Sequence, residues 1–316
     1  MNLLRPLALA CALAAGPLAA APLTDADFQA ITEKVFRPVI TEFAIPGMAV
    51  GVTVGGKSHV FTTGLADRAG GVAVDHDTLF ELGSVSKLFN VALAAFAEQE
   101  GILSLDDPVS TILPSLKGSA FDDMTLYDLA AHANGGLPLQ VPDEIASNAQ
   151  LMDWLAAWRP QNNPQSVRAY SNVSIGLLGQ IVGERFCGAY DVALEEYLLP
   201  KLGLENTFIK VPADAIGRYA FGYSKVEDKA IRVTPGLLDA EAYGVKSSVL
   251  DMTRFLDTHL GNVQLPAPVK AALDQTRQAR YDTAHFAQAM VWEEYRWPVD
   301  MQTIVLGSST EKAMKP

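Results

Sequence analysis

The order of segments along the chain predicts an α/β (α+β) protein with two lobes. After a first helix come two strand-like segments, then helical and loop patterns predominate from Glu81 to about Tyr243, and strand-like sequence returns at Ala289–Tyr295. Strands on both sides of a helical insertion indicate an α/β lobe from residues 21–80 and 245–316 around a mostly helical lobe of residues 81–244. The 316 residues, 49% of them hydrophobic, are enough for a large core.

The first residues have the pattern of a secretory signal. Met1 to Arg5 carry one positive side chain, and the Ala/Leu-rich segment Pro6–Leu18 is too short to span a bilayer. Small residues follow at Ala19–Ala21, and cleavage after Ala20 avoids a proline at the first mature position. We therefore expect residues 1–20 to be a signal peptide and the protein to be exported to a bacterial periplasm without a membrane anchor.

The next elements are a helix and a hairpin. Thr24–Glu42 has apolar residues near helical spacing, at Phe28, Ile31, Val35 and Ile40. Met48–Val54 and His59–Thr63 alternate as strands and are joined by a glycine-containing turn. Gly51–Ser58 matches the P-loop consensus, but a P-loop passes from a strand into a helix, so we do not expect phosphate binding here.

Ser84 opens the next helical segment, which ends at Gly101. Its apolar residues fall on one helix face, at Leu88, Val91, Ala92, Ala95 and Phe96. Ser84 alone could be a helix N-cap. Lys87, however, lies one turn above it, with Cβ atoms about 5–6 Å apart, and a lysine faces the positive end of the helix dipole unfavourably there. A buried amine with a lowered pKa could accept the serine proton, so catalysis explains a lysine at this position where helix stability does not.

Tyr170-Ser171-Asn172 precedes a second apolar helical run, Ile175–Val182. Ser171 or Asn172 could simply cap that helix, and Tyr170 could be a core aromatic. Together with the upstream Ser-x-x-Lys, the tripeptide indicates a second catalytic element. The Ser84 hydroxyl, the Lys87 amine and the Tyr170 phenol are together sufficient for acyl transfer to a serine without a histidine. The pattern predicts further helices at Leu126–His132, Ala149–Trp158, Val192–Leu202 and Val249–Leu260.

Three further segments carry a family resemblance: Asn134–Glu144, Leu238–Ser248 and the pair Trp292-Glu293 with Trp297-Pro298-Val299. With Ser84-x-x-Lys87 and Tyr170-x-Asn172, they make the chain from about Thr24 onward resemble the class C serine β-lactamases, the periplasmic cephalosporinases. The resemblance implies the serine β-lactamase and penicillin-binding-protein-like fold, an antiparallel sheet flanked by helices plus a mostly helical lobe.

The resemblance also implies residue roles. Ser84 would attack the lactam carbonyl, and Lys87 and Tyr170 would move the proton. Gln140, Asn172 and Tyr243 would contact the substrate, whereas without the family match Gln140 reads as a solvated loop residue and Tyr243 as a half-buried aromatic. The expected activity is hydrolysis of cephalosporins and penicillins, conferring β-lactam resistance, with no metal and no cofactor.

One departure from the family is the absence of its third element, Lys-Thr/Ser-Gly. Lys57-Ser58-His59 and Lys246-Ser247-Ser248 are the nearest approaches, and neither has the glycine. We therefore expect the chain to be a fragment that is truncated before that element. Such a fragment could be inactive. Two alternatives stay open: a D,D-peptidase or carboxylesterase of the same superfamily, and a penicillin-binding or sensor module that acylates without turnover.

Composition excludes several partners. The net charge of −12 argues against nucleic acid and anionic membranes. The five histidines never fall at His-x-His or His-x-x-x-His spacing, so metal chemistry is not expected. Removal of the signal leaves one cysteine, Cys187, and hence no intramolecular disulfide. We expect a monomer that acts on small molecules.

Overall fold

The computed structural model describes residues 23–234, 236–308 and 312–315. The predicted signal peptide, residues 1–20, lies outside the described residues. The α-helices within those ranges are α1 (Asp25–Glu42), α2 (Ser86–Gln99), α3 (Val109–Ile112), α4 (Leu126–Ala130), α5 (Asn148–Ala157), α6 (Asn172–Phe186), α7 (Tyr190–Val192), α8 (Leu199–Leu202), α9 (Asp239–Tyr243), α10 (Val249–Leu260), α11 (Ala267–Thr276) and α12 (Met301–Ser308).

The strands are mostly short. They are β1 (Gly47–Val54), β2 (Lys57–Asp67), β3 (Val72–Ala73), β4 (Phe80–Glu81), β5 (Val167–Arg168), β6 (Thr207–Phe208), β7 (Gly222–Tyr223), β8 (Ala230–Ile231), β9 (Lys246–Ser247), β10 (Tyr281–Asp282), β11 (Ala287–Gln288), β12 (Glu293–Glu294) and β13 (Lys312–Ala313). Single 3₁₀ turns occur at Gly83–Val85, Pro114–Leu116, Ala120–Asp122 and Ile216–Arg218, and a π-helical turn, Ala193–Leu198, joins α7 to α8.

The N-terminal helix and hairpin form as the pattern predicts. The Thr24 side chain caps α1 by accepting from the Asp27 N–H at 3.1 Å. Strands β1 and β2 pair antiparallel, and β3 adds to the far edge of β2. The turn at Gly55 and Gly56 needs φ values of 59° and 79°, which glycine adopts without strain. The P-loop-like sequence therefore runs from strand to strand.

A second antiparallel sheet, in the order β4-β9-β6, positions the start of α2. Phe80 and Thr207 both pair with Ser247 on the central strand. Beyond β4, the Leu82 N–H donates to the Val245 carbonyl at 2.9 Å. The chain entering α2 is thereby fixed beside the chain that leaves α9.

Helix α2 is buried on nearly every side rather than on one face. From Ser86 to Ala97 only Leu88 is partly accessible. Helices α6, α9 and α11 all pack against it, so no side of its middle turns faces water. The apolar periodicity of the sequence thus identified the helix and understated its burial, because small alanines on the remaining faces allow neighbours to approach.

The C-terminal part adds a small antiparallel sheet, β10-β11-β12, and β13 pairs with β5. The mixture of helices and antiparallel sheets confirms the α/β (α+β) class. The lobe boundaries at residues 80 and 245 stay a prediction. No helix in the described part of the chain combines the length and the apolar character needed to cross a membrane.

Candidate active site

Ser84 lies in the 3₁₀ turn that leads into α2. Gly83 before it has φ 54°, a left-handed conformation that turns the chain sharply from β4 into the helix. The Ser84 side chain caps neither the turn nor α2, and it is exposed. The alternative interpretation of Ser84 as a helix cap is therefore wrong.

Lys87 reaches back to Ser84 as the one-turn spacing predicts, with Nζ 3.2 Å from Oγ. The same Nζ donates to Asn172 Oδ1 at 2.6 Å and to the Ala242 carbonyl at 3.0 Å. The lysine is fully buried, and each of these three acceptors is a neutral oxygen. Burial without a counter-charge lowers the pKa of Lys87 to about 8.

Tyr170 lies between β5 and α6 and is half-buried. Its phenol contacts the Ser84 hydroxyl, and Lys87 Nζ lies 5.0 Å from the ring centroid. Burial raises the pKa of Tyr170, while the Ser84 contact and the charge of Arg168 oppose that rise. The phenol is therefore protonated near neutral pH and can act as a proton donor.

Asn172 begins α6 and points its amide oxygen at Lys87. Ser171, not Asn172, is the helix cap, since its Oγ accepts the Ser174 N–H at 3.0 Å. This leaves the Asn172 side chain free for the lysine. The Asn172 N–H donates to the Leu139 carbonyl at 2.9 Å, which ties the start of α6 to the loop that carries Gln140.

The two remaining predicted residues meet each other. Gln140 is exposed on its loop, Tyr243 at the end of α9 is half-buried, and their side chains are in contact. Burial, together with Asp239, raises the pKa of Tyr243 to about 12. Because Ala242, next to Tyr243, accepts from Lys87, helix α9 joins this pair to the group formed by Ser84, Lys87, Tyr170 and Asn172.

Sequence reasoning missed three contributors to the site: the Ala242 carbonyl, Asn90 and Arg168. Asn90 Nδ2 donates to the carbonyls of Ile175 and Glu241, both at 3.0 Å, and so fixes α6 and α9 against α2. Its signal was available, because it is the single polar residue between Leu88 and Ala97. A backbone carbonyl such as that of Ala242 leaves no side-chain signal.

Within the described ranges no three His, Cys, Asp or Glu side chains are grouped so that they could hold a metal ion. The arrangement supplies an exposed hydroxyl, an amine of lowered pKa and a neutral phenol. These are the groups that acyl transfer to a serine requires.

Comparison with known proteins identifies the family. The β-lactamase family model matches residues 32–309. A β-lactamase of Psychrobacter immobilis is 41% identical over 90% of this chain and 71% of its own length. The structure of a class C β-lactamase from Rhodobacter sphaeroides is similar with a TM-score of 0.87 and 49% identity, covering 90% of this chain and 82% of that one.

The fold comparison extends to a ligand-bound relative. A class C β-lactamase in complex with cefoxitin superposes with a TM-score of 0.89 at 35% identity, over 92% of this chain and 82% of that one. These likenesses confirm the expected serine β-lactamase and penicillin-binding-protein-like fold. With the family model matched over most of its length, the chain belongs to the β-lactamase family and has the fold of its class C members.

Proposed function

We propose that this chain hydrolyses the β-lactam ring of cephalosporins and penicillins through an acyl-enzyme on Ser84. The observation that carries the proposal is the buried Lys87 amine, 3.2 Å from Ser84 Oγ and bonded only to neutral oxygens. Its support from relatives is the β-lactamase family match and the cefoxitin complex of a structural neighbour.

In acylation, the neutral form of Lys87 has two N–H donors and one lone pair. The donors satisfy Asn172 Oδ1 and the Ala242 carbonyl, so the lone pair is directed at Ser84. As Oγ bonds to the lactam carbonyl carbon, its proton passes towards Lys87 and Tyr170. The Ser84 backbone N–H would supply one donor to the developing oxyanion.

The lactam C–N bond then breaks, and the departing nitrogen takes a proton from the Tyr170 phenol, which recovers the serine proton by way of Lys87. In deacylation Tyr170 and Lys87 would activate a water molecule that attacks the ester carbon. The proton of that water returns to Ser84 Oγ as the acid product leaves. Asn172, on α6, would hydrogen-bond the amide side chain of the drug and help to position Lys87. Gln140 and Tyr243, in contact on their loop and on α9, would line the substrate site.

The cellular setting is part of the proposal. The pattern of residues 1–20 supports export through a signal peptide to a periplasm, where a β-lactamase protects the cell from the drug. We also propose that the protein works as a monomer and without a metal or organic cofactor.

Replacement of Ser84 tests the function. Ser84→Ala should abolish both steady-state hydrolysis of a chromogenic cephalosporin and covalent labelling by a fluorescent penicillin, with the thermal midpoint unchanged. Ser58→Ala, at the exposed start of β2, is the matched control. Persistent label in Ser84→Ala would rule out this nucleophile.

The same assay separates the alternatives. A stoichiometric burst without steady-state turnover would favour a penicillin-binding or sensor module. Faster hydrolysis of a short-chain ester or of a D-Ala-D-Ala peptide would favour the esterase or peptidase.

A further inference from the structure

A largely buried ion pair, Arg168–Glu293, lies next to Tyr170. The Arg168 side chain is 2% exposed and the Glu293 side chain 19%, and Nη2 donates to Glu293 Oε1 at 2.6 Å. Arg168 Nε donates to Gln288 Oε1 at 2.6 Å, and Tyr295 Oη donates to the second oxygen of Glu293 at 2.8 Å. A guanidinium held on two of its edges has one orientation available.

The surroundings of the pair are rigid as well. Gln288 is fully buried, and its amide donates to the carbonyls of Ala289 and Trp292 at 2.8 and 3.1 Å. Arg168 Nη1 is buried, and no described residue accepts a hydrogen bond from it. Part of the positive charge therefore has no local acceptor, although a buried charge without one is costly.

The guanidinium is close to the phenol ring. Arg168 Cζ lies 5.7 Å from the ring centroid of Tyr170, and the Phe286 ring lies 5.4 Å from Cζ. The connecting residue Ala169 is fixed at both backbone groups, since its N–H donates to the His132 carbonyl and its own carbonyl accepts from Asn134, both at 2.9 Å. Because Arg168 is buried and Tyr170 half-buried, solvent screens the charge less than it would at the surface.

Resting on the proposed role of Tyr170 in proton transfer, we propose that Arg168 is a positioning residue whose charge stabilises negative charge developing on the Tyr170 oxygen. Glu293 holds the guanidinium in place and limits its effect. Burial is the largest influence on the pKa of Tyr170 and raises it. Of the two charges, the cation lowers this pKa and the carboxylate raises it, with Arg168 the larger influence of the two.

The other groups facing Tyr170 are accounted for. Lys87 on α2 has its Nζ 5.0 Å from the ring centroid, and the Ser84 hydroxyl contacts the phenol. The His132 ring packs at 4.6 Å between centroids, and burial, with the charges of Arg168 and Lys87, holds the pKa of His132 well below its usual value. His132 is thus neutral across the working range, so Lys87 and the Arg168–Glu293 pair supply the charges that act on the phenol.

The two members of the pair predict opposite effects, which a purely structural role does not. In Glu293→Gln the guanidinium loses its counter-charge, so the Tyr170 titration should move to lower pH by about 1 unit. In Arg168→Gln it should move to higher pH by about the same amount, and the double variant should lie between. The kinetic limb assigned to Tyr170 should move with each.

The measurement is the titration of Tyr170 in the full chain by NMR of ¹³Cζ-labelled tyrosine, assigned with Tyr170→Phe, alongside pH profiles of kcat/KM. The control is Arg280→Gln, because Arg280 also stacks on a tyrosine, Tyr127, at 3.9 Å and belongs to an exposed ion pair with Asp106. It should leave the Tyr170 titration in place. If Arg168→Gln does not fold, Glu293→Gln and Arg168→Lys, which keeps the charge, still decide the question.

Shifts in the same direction, or none, would overturn the proposal. Full turnover by Tyr170→Phe would instead refute the proposed function of Tyr170, whatever the NMR titrations show. Loss of turnover in Tyr170→Phe without opposite shifts would refute only the role given to Arg168.

Discussion

Lys87 differs from most lysines in having hydrogen bonds and no ionic partner. Asn172 Oδ1, the Ala242 carbonyl and Ser84 Oγ orient the amine but do not neutralise an ammonium charge. A carboxylate at any of these positions would keep the lysine charged. At pH 7, a pKa of about 8 leaves roughly a tenth of the molecules with the neutral amine, and the fraction rises with pH.

That shift predicts a pH-dependent stability. The folded-state pKa of Lys87, about 8, is below the unfolded value of 10.5, so the unfolded chain binds more protons between these values and stability rises with pH there. Relative to Lys87→Met, the wild type should gain about 2 kcal/mol of unfolding free energy between pH 7 and pH 9.5. Urea titrations at both pH values measure it. The exposed Lys117→Met should show no such change, and a flat difference for Lys87→Met would contradict the depressed pKa.

At the scale of elements, the contact between α6 and α9 depends on glycines in α6. A Cβ built on Gly179 would lie 2.4 Å from Asn90 Nδ2 and 2.8 Å from Glu241 Cβ, and one on Gly176 would lie 2.4 Å from Leu238 Cβ. Side chains at these positions would push α9 away from α2. The Ala242 carbonyl and Tyr243 would move with it.

Gly179→Ala should therefore be harmful although alanine is the better helix former by about 1 kcal/mol. We expect overpacking to prevail, with a net loss of about 1–2 kcal/mol in unfolding free energy and a lower kcat as α9 shifts. Gly217→Ala is the matched control, since a Cβ there meets nothing within 4 Å. Thermal melts and steady-state kinetics of both variants test this. An increase in the unfolding free energy of Gly179→Ala would show that α9 can move to make room for the methyl group without destabilising the fold.

Most of the long elements were predictable from sequence, and the two-residue strands were not. Val249–Leu260 forms over the predicted residues as α10, and the predicted Ala149–Trp158 helix is α5 within one residue at each end. Two-residue strands such as β4 and β9 show no periodicity, because tertiary pairing alone creates them. Helix α11 was missed altogether. In the site, the spacing of Ser84 and Lys87 predicted their contact, whereas the burial that lowers the lysine pKa depends on α6 and α9.

At the scale of the whole molecule, a column of aromatic rings connects α2 to the C-terminal segment. Phe89 stacks on Phe255 at 4.5 Å, Phe255 meets His259 at 4.7 Å, and His259 meets Trp292 at 5.1 Å between centroids. No described residue hydrogen-bonds either ring nitrogen of His259. The histidine therefore packs as an apolar ring and joins distant parts of the chain.

This column should be sensitive to acid. Burial, assisted by the charge of Arg277, lowers the pKa of His259 to about 4, below the unfolded value of 6.5. The unfolded chain takes up the proton first, so stability is lost as pH falls from about 6.5 towards 4. From pH 7 to pH 5 the wild type should lose about 2 kcal/mol more than His259→Leu. Denaturant titrations at both pH values check this, and the exposed His76→Gln should behave as the wild type. Equal losses in wild type and His259→Leu would exclude His259 as the acid-sensitive group.

Helix α6 also sets a distance across the molecule. It starts at Asn172, in contact with Lys87, and ends at Phe186, next to the exposed thiol of Cys187, the one cysteine among the described residues. Fifteen residues of α-helix span about 22 Å. A dye on Cys187 would therefore sit a fixed helix length from a fluorescent penicillin on Ser84. Energy transfer between the two would report the formation and decay of the acyl-enzyme in a single molecule, with the protein's dye kept away from the active site.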